Sequence, residues 1–143
     1  KTSVISLDKI IVDSKLSERT GFSNSRQVWR VVRQRVVDSC ASVIDIDYLD
    51  ASLVPQLNRS IAEYSIYDYI ENQLKLSISH AFKEITIDNA TDQDKILIDL
   101  GKDQHVVCVR SKVYLNNGKQ FQFTESRHKL EKFKFVDYAK RHH

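Results

Sequence analysis

The chain has only one proline and three glycines in 143 residues, so no stretch of it reads as a linker or a low-complexity segment. Its apolar runs are short, and none approaches the roughly 20 residues that a membrane-spanning helix needs. No signal-peptide pattern opens the sequence. Two cysteines, Cys40 and Cys108, are too few for a secreted disulfide framework and lack metal-ligand spacing, so they read as free thiols of a reducing cytoplasm. Charge of one sign is lacking too. Lys and Arg number 22 against 19 Asp and Glu, and the net +3 is too small and too interspersed for a nucleic-acid surface. The basic tail of Lys132, Lys134, Lys140 and Arg141 reads as a solvated edge. Catalytic signals are missing: there is no Gly-rich phosphate loop, no Gly-x-Ser-x-Gly elbow, and no metal spacing among His80, His105, His128 and the cysteines. No enzyme, metal or cofactor is expected.

What is present is one domain's worth of chain, 41% hydrophobic, long enough to bury a core unaided. Lys1 is an unusual natural start and points to sequence upstream, while His142-His143 reads as the stub of an affinity tag, leaving a domain over 1–141.

Period-two alternation dominates. Residues 4–12 predict a first strand, followed by a short helix that Ser14 caps and Gly21 ends. Residues 26–37 predict a long strand with Trp29, Val31, Arg33, Arg35 and Val37 on one face. Asp38-Ser39-Cys40-Ala41 turns the chain, and residues 42–49 return with Val43, Asp45, Asp47 and Leu49 on one side. An odd loop sets Arg33 opposite Asp47 and Arg35 opposite Asp45. Beyond the break at Pro55, a helix over 66–75 repeats Ile66, Ile70 and Leu74 at helical spacing. Ser60 with Glu63 and Ser65 with Asp68 both fit a capping box; Ser65 is preferred because the apolar stripe begins immediately after it.

Residues 78–87 predict a strand, and Thr91 caps a helix that turns Ile96, Leu97 and Leu100 inward and stops at Gly101. Residues 105–115 and 119–127 form a hairpin across Asn116-Asn117-Gly118. On its second strand Phe121 and Phe123 take the packed face, and Gln122, Thr124, Ser126 and His128 take the opposite one, a polar wall suited to a pocket. The fold class is α+β, a mostly antiparallel sheet with short flanking helices.

Arg33 and Arg35 lead the candidate site residues, because two guanidinium forks on one strand face suit phosphate or carboxylate oxygens. Plain ion pairs with Asp45 and Asp47 account for the same spacing. Ser65 at a helix start offers an anion site or an ordinary cap, and Tyr67 either stacks on a sugar and hydrogen-bonds it or fills a core.

Three segments together resemble the UTRA effector-binding domain of GntR/HutC-type bacterial transcription regulators. They are Phe121 to Phe135, the Arg33-Gln34-Arg35 strand, and Ser65-Ile66-Tyr67-Asp68-Tyr69-Ile70-Glu71 before Leu74-Lys75-Leu76-Ser77-Ile78. The wording Phe123-Thr124-Glu125-Ser126-Arg127-His128 with Lys132-Phe133-Lys134-Phe135-Val136-Asp137 resembles the branch that regulates trehalose operons. The resemblance implies a chorismate-lyase-like fold and a homodimer. It also implies an upstream winged helix that binds operator DNA, and an effector that is sensed without being transformed, here trehalose 6-phosphate. It implies effector contacts at Arg33, Arg35, Asp45, Ser65, Tyr67, Gln122 and His128. Gln122 and His128 stand where amino-sugar sensors of the family carry glutamate and tyrosine, which suits a neutral disaccharide phosphate. The rival readings are a lyase-like enzyme acting on an anionic ring and a dimerisation module without ligand.

Overall fold

Alternating strands of nine to twelve residues supply most of the chain. The order is β1 (Thr2–Ile11), α1 (Ser14–Thr20), β2 (Gln27–Val37), β3 (Cys40–Asp50), α2 (Arg59–Tyr64), α3 (Ile66–Asp68), β4 (Ile78–Asn89), α4 (Asp92–Leu97), β5 (His105–Leu115) and β6 (Gln120–His128). This is a computed structural model, and it describes residues 1–64 and 66–141. The six strands form one antiparallel sheet in the order β1-β2-β3-β6-β5-β4. The long β4 to β5 connection carries α4, and β6 inserts between β3 and β5, which places the last strand at the centre.

Local chemistry sets the ends of these elements. Asp13, rather than Ser14, caps α1, because its carboxylate accepts from the Leu16 N–H at 2.8 Å. Gly21 closes that helix at φ +89°, a conformation that a side chain resists. Asp38 and Ser39 both take left-handed φ, at 52° and 61°, so the β2–β3 hairpin turns on two residues and Cys40 opens β3 instead of sitting in the turn. The register then slips between Arg35 and Val36, so Arg33 faces Asp45 and Arg35 faces Val43. The expected opposition of Arg33 to Asp47 is therefore off by one pair on the same face.

The helical region begins earlier than periodicity suggests. Asn58 accepts from the Ile61 N–H at 2.9 Å and α2 starts at Arg59, not at Ile66. The preferred cap, Ser65, lies outside the described residues. After α3 the backbone widens into a π-helical turn over Tyr69–Gln73. Thr91 and Asp94 form the expected capping box of α4. That helix ends at Leu97, however, well before Gly101, and Ile96 is 79% exposed; the extended backbone at Ile98 turns Ile98 and Leu100 into the core instead.

Helices cover both faces of the sheet. On one, Val31, Leu49, Val113, Leu115 and Phe121 pack against Ala62, Ile66 and Ile70 of the α2 to π-helical segment. On the other, Val28, Val32, Ile44, Ile46, Tyr48 and Phe123 pack with Val12, Phe22, Ile98 and Leu100. Phe121 and Phe123 thus serve different cores, against the expectation that both share a face. The β5–β6 register slips between Val113 and Tyr114, and Phe121 is the extra residue.

The assignment of Ile98 to the core and Ile96 to solvent has a direct check. Ile98→Ala should lower unfolding free energy by about 2–4 kcal/mol in urea titrations, whereas Ile96→Ala should stay within about 0.5 kcal/mol.

Candidate functional site

In an antiparallel sheet, residues directly opposite share a face. Two register rows cross the middle of the sheet: Arg33, Asp45 and Ser126, then Arg35, Val43 and His128. Asp47 with Thr124, and Leu49 with Gln122, continue the same face toward the α2 to π-helical segment. Six of the seven residues singled out in sequence, Arg33, Arg35, Asp45, Tyr67, Gln122 and His128, gather on this side of the sheet, and Ser65 lies outside the described residues.

Their side chains form a network. Arg33 Nη2 donates to Asp47 Oδ2 at 2.7 Å, and Arg35 Nη2 donates to Asp45 Oδ1 at 3.2 Å. Both arginines therefore reach diagonally to the aspartate that loop parity had assigned directly across. Arg35 Nε lies 2.8 Å from Asp45 Oδ2 as an ion-pair contact whose N–H does not point at the oxygen. Ser126 Oγ donates to Asp45 Oδ1 at 2.5 Å, and Gln122 Nε2 donates to Asp47 Oδ1 at 3.2 Å. Tyr67 on α3 donates its hydroxyl to Gln122 Oε1 at 3.1 Å, joining the helical wall to the sheet. The ion-pair reading of the two arginines is thus realised. It does not exhaust them, because a guanidinium carries five N–H donors and the buried Arg33 Nε has no hydrogen-bond partner among the described residues.

Burial shapes the electrostatics. Asp47 is buried, and desolvation raises its pKa above the usual carboxylate range despite the opposing charge of Arg33; the neighbouring Asp45 raises it further. Burial also raises the Tyr67 phenol, helped by the Asp47 charge. His128 shifts the other way, because burial and then the Arg35 charge disfavour the imidazolium, while Asp45 opposes them. The His128 ring packs edge-on against Phe133 with centroids 5.2 Å apart. Asp47 and Ser126 are the residues that sequence reasoning left out of the site. Strand alternation placed both on the correct face, but depth of burial carries no signature in a single strand.

The opposite face of β6 anchors it. Arg127 Nε donates to both carboxylate oxygens of Asp94, at 2.8 and 3.0 Å, and its Nη1 donates to Glu125 Oε2 at 3.0 Å. Glu125 also takes Arg110 Nε at 3.3 Å and Arg19 of α1. Burial pushes the Glu125 carboxyl upward, yet Arg19, Arg110 and Arg127 together hold it below its usual value. A cleft of about 560 Å³ lies beside this network, lined by Arg19, Phe82, Arg110, Lys112, Tyr114 and Phe123, on the far side of the sheet from the arginine and aspartate pairs. Among the described residues no cluster of His, Cys, Asp and Glu has the arrangement of a metal site. Among the described residues no helix is long and apolar enough to cross a membrane.

A family model described as the UTRA domain matches residues 1–134. The chain belongs to the UTRA domain family. The UTRA chain is 48% identical to the HTH-type transcriptional regulator TreR of Bacillus subtilis (strain 168) over 114 residues, covering 80% of this chain and 48% of that protein. It is 26% identical to the HTH-type transcriptional repressor NagR of the same organism over 137 residues, covering 94% of this chain and 56% of NagR. This UTRA domain therefore spans about half the length of these curated relatives. The solved structure of the B. subtilis trehalose repressor (TreR) effector binding domain superposes with a TM-score of 0.92 at 40% identity, covering 100% of this chain and 99% of that one. The architecture is the α+β, chorismate-lyase-like fold of such GntR-family domains.

The charge cluster beneath β6 makes a prediction about acid. Glu125 has a depressed folded-state pKa, so its contribution is complete above the unfolded carboxylate pKa and is lost as pH falls through the folded one. Glu125→Gln leaves three arginines short of a partner and should cost about 3–5 kcal/mol at neutral pH. Urea titrations across the acid range should then show a flatter pH dependence than the native chain.

Proposed function

We propose that this UTRA domain senses a sugar phosphate for a bacterial transcriptional repressor, and that the effector is trehalose 6-phosphate. The observation that carries the reading is the gathering of Arg33, Arg35, Asp45, Tyr67, Gln122 and His128 on one face of the sheet beside α3. Similarity to TreR, and to the effector binding domain of the trehalose repressor, supports the choice of sugar.

Removing the partner from a buried carboxylate costs about 3–5 kcal/mol, so the phosphate adds to the arginines rather than replacing their aspartates. Asp47 and Asp45 hold the guanidinium forks in place, and the other N–H donors of the two groups meet the phosphate oxygens. Ser65 is a further effector contact on the family resemblance alone. Tyr67, Gln122 and the neutral imidazole of His128 read sugar hydroxyls, which donate and accept without demanding a charge. Binding regulates by differential affinity for two arrangements of the upstream winged helices on operator DNA, since only such a difference shifts their populations. The reading is of a cytoplasmic sensor that transforms nothing and needs no cofactor.

Calorimetry with trehalose 6-phosphate, trehalose and glucose 6-phosphate tests this. Trehalose 6-phosphate should bind more tightly than either fragment, and Arg35→Ala should weaken it about 10- to 100-fold while leaving the weak binding of trehalose unchanged. Equal or absent binding of all three would leave the arginine and aspartate pairs as structural ion pairs and remove the proposal.

A further inference from the structure

The cleft on the reverse face of the sheet has a chemistry of its own. Its floor is β5, where Arg110, Lys112 and Tyr114 alternate along one face of the strand. β4 supplies one wall with Phe82 and Glu84, α1 supplies another with Arg19, and Phe123 of β6 completes the lining. Cross-strand pairing sets Lys112 between Phe82 and Phe123, and Arg110 between Glu84 and Glu125. At about 560 Å³ the cleft falls within the range of small-molecule sites, roughly 300–1,000 Å³. Glu125 is buried and already shared by three arginines, so Glu84 is the carboxylate that the opening presents. Arg19, Arg110 and Lys112 outnumber it. Lys112 is half-buried, and no hydrogen bond or ion pair engages its ammonium among the described residues. Arg19 directs one amino group at Glu125 and keeps a side chain that is 47% exposed. Phe82 is 67% exposed and stands edge-on to Tyr114 with centroids 6.1 Å apart, which leaves much of its ring for another flat group.

We propose that this cleft is a second ligand site, taking a small anion that carries a flat ring. The anionic group meets Lys112 and the remaining donors of Arg19, and the ring lies against Phe82 and Tyr114. Arg110 contributes its charge more than its donors, which already go to Glu125, Thr86 and Asp88. Packing holds Lys112 in place. Its stem passes so close to α1 that a Cβ at Gly21 would come within 3.4 Å of both Cε and Nζ. The two faces of the sheet therefore suit different molecules: Asp45, Gln122 and Tyr67 offer partners for the hydroxyls of a sugar, whereas the cleft offers cations beside an aromatic wall. The cleft is independent of the effector reading, and either can fail without the other.

Phenyl phosphate, benzoate, inorganic phosphate and phenol separate the two halves of such a ligand. In NMR titrations the two ring anions should shift the backbone amides of Phe82, Lys112 and Tyr114, and inorganic phosphate and phenol should each bind at least about tenfold more weakly than the better of them. That better one, phenyl phosphate or benzoate, names the anionic group. Lys112→Gln should weaken its binding about five- to tenfold and Lys112→Arg should restore it, with the melting temperature unchanged in both. Phe82→Ala should weaken it about fivefold, and its exposure lets the chain fold without the ring. Shifts confined to amides around Arg33 and Arg35 would overturn the proposal, because they assign the anion to the opposite face. So would inorganic phosphate binding as tightly as phenyl phosphate, the absence of binding by either ring anion at millimolar concentrations, or binding indifferent to Lys112→Gln.

Discussion

Glu125 lies buried between Arg19 of α1, Arg110 of β5 and Arg127 of its own strand, and Arg127 in turn is clasped by Asp94, the residue that completes the cap of α4. A buried carboxylate is tolerable only with partners; these come from three elements, and a fourth, α4, holds Arg127 in place. β6 cannot shift along the sheet without breaking the set. The position of every side chain on its other face therefore follows from charges that the candidate site never touches. Gln122, Thr124, Ser126 and His128 are displayed by a strand held down from behind.

The two faces solve the problem of buried acid differently. Glu125 has three cations close by, and their combined attraction outweighs burial, so its pKa falls. Asp47 has Arg33 alone, with Asp45 as a like-charged neighbour, and burial wins, so its pKa rises. The first arrangement is a fully satisfied anchor. The second is under-compensated, and the buried Nε atoms of Arg33 and Arg35 have no hydrogen-bond partner among the described residues.

The same sheet also divides its packing between its faces. One half of the site face is closed by α2, α3 and the π-helical turn, which bring Tyr67 over Gln122; the reverse face is closed by α1 and the segment around α4. Of the β4 edge, Ile78 packs against the α2 to π-helical cluster, and most of the strand beyond it is exposed.

Six strands, the β2–β3 and β5–β6 hairpins, the Thr91 cap and the faces of Arg33, Arg35, Asp45 and His128 were legible in sequence. Alternation with period two and turn chemistry are local properties, written residue by residue. Registers were not legible, because a single extra residue at a bulge moves every pair beyond it. The slip after Arg35 set Arg33 opposite Asp45, and the slip near Tyr114 sent Phe121 and Phe123 into different cores. The start of α2 at Arg59 and the exposure of Ile96 were also misread, since helical spacing shows which residues could line up and not which neighbours arrive to cover them. Sequence alone determined the strands and the inventory of charged and hydrogen-bonding groups. Only tertiary structure decided which acid meets which arginine and how deeply, because burial and pairing are set by residues far away in the chain.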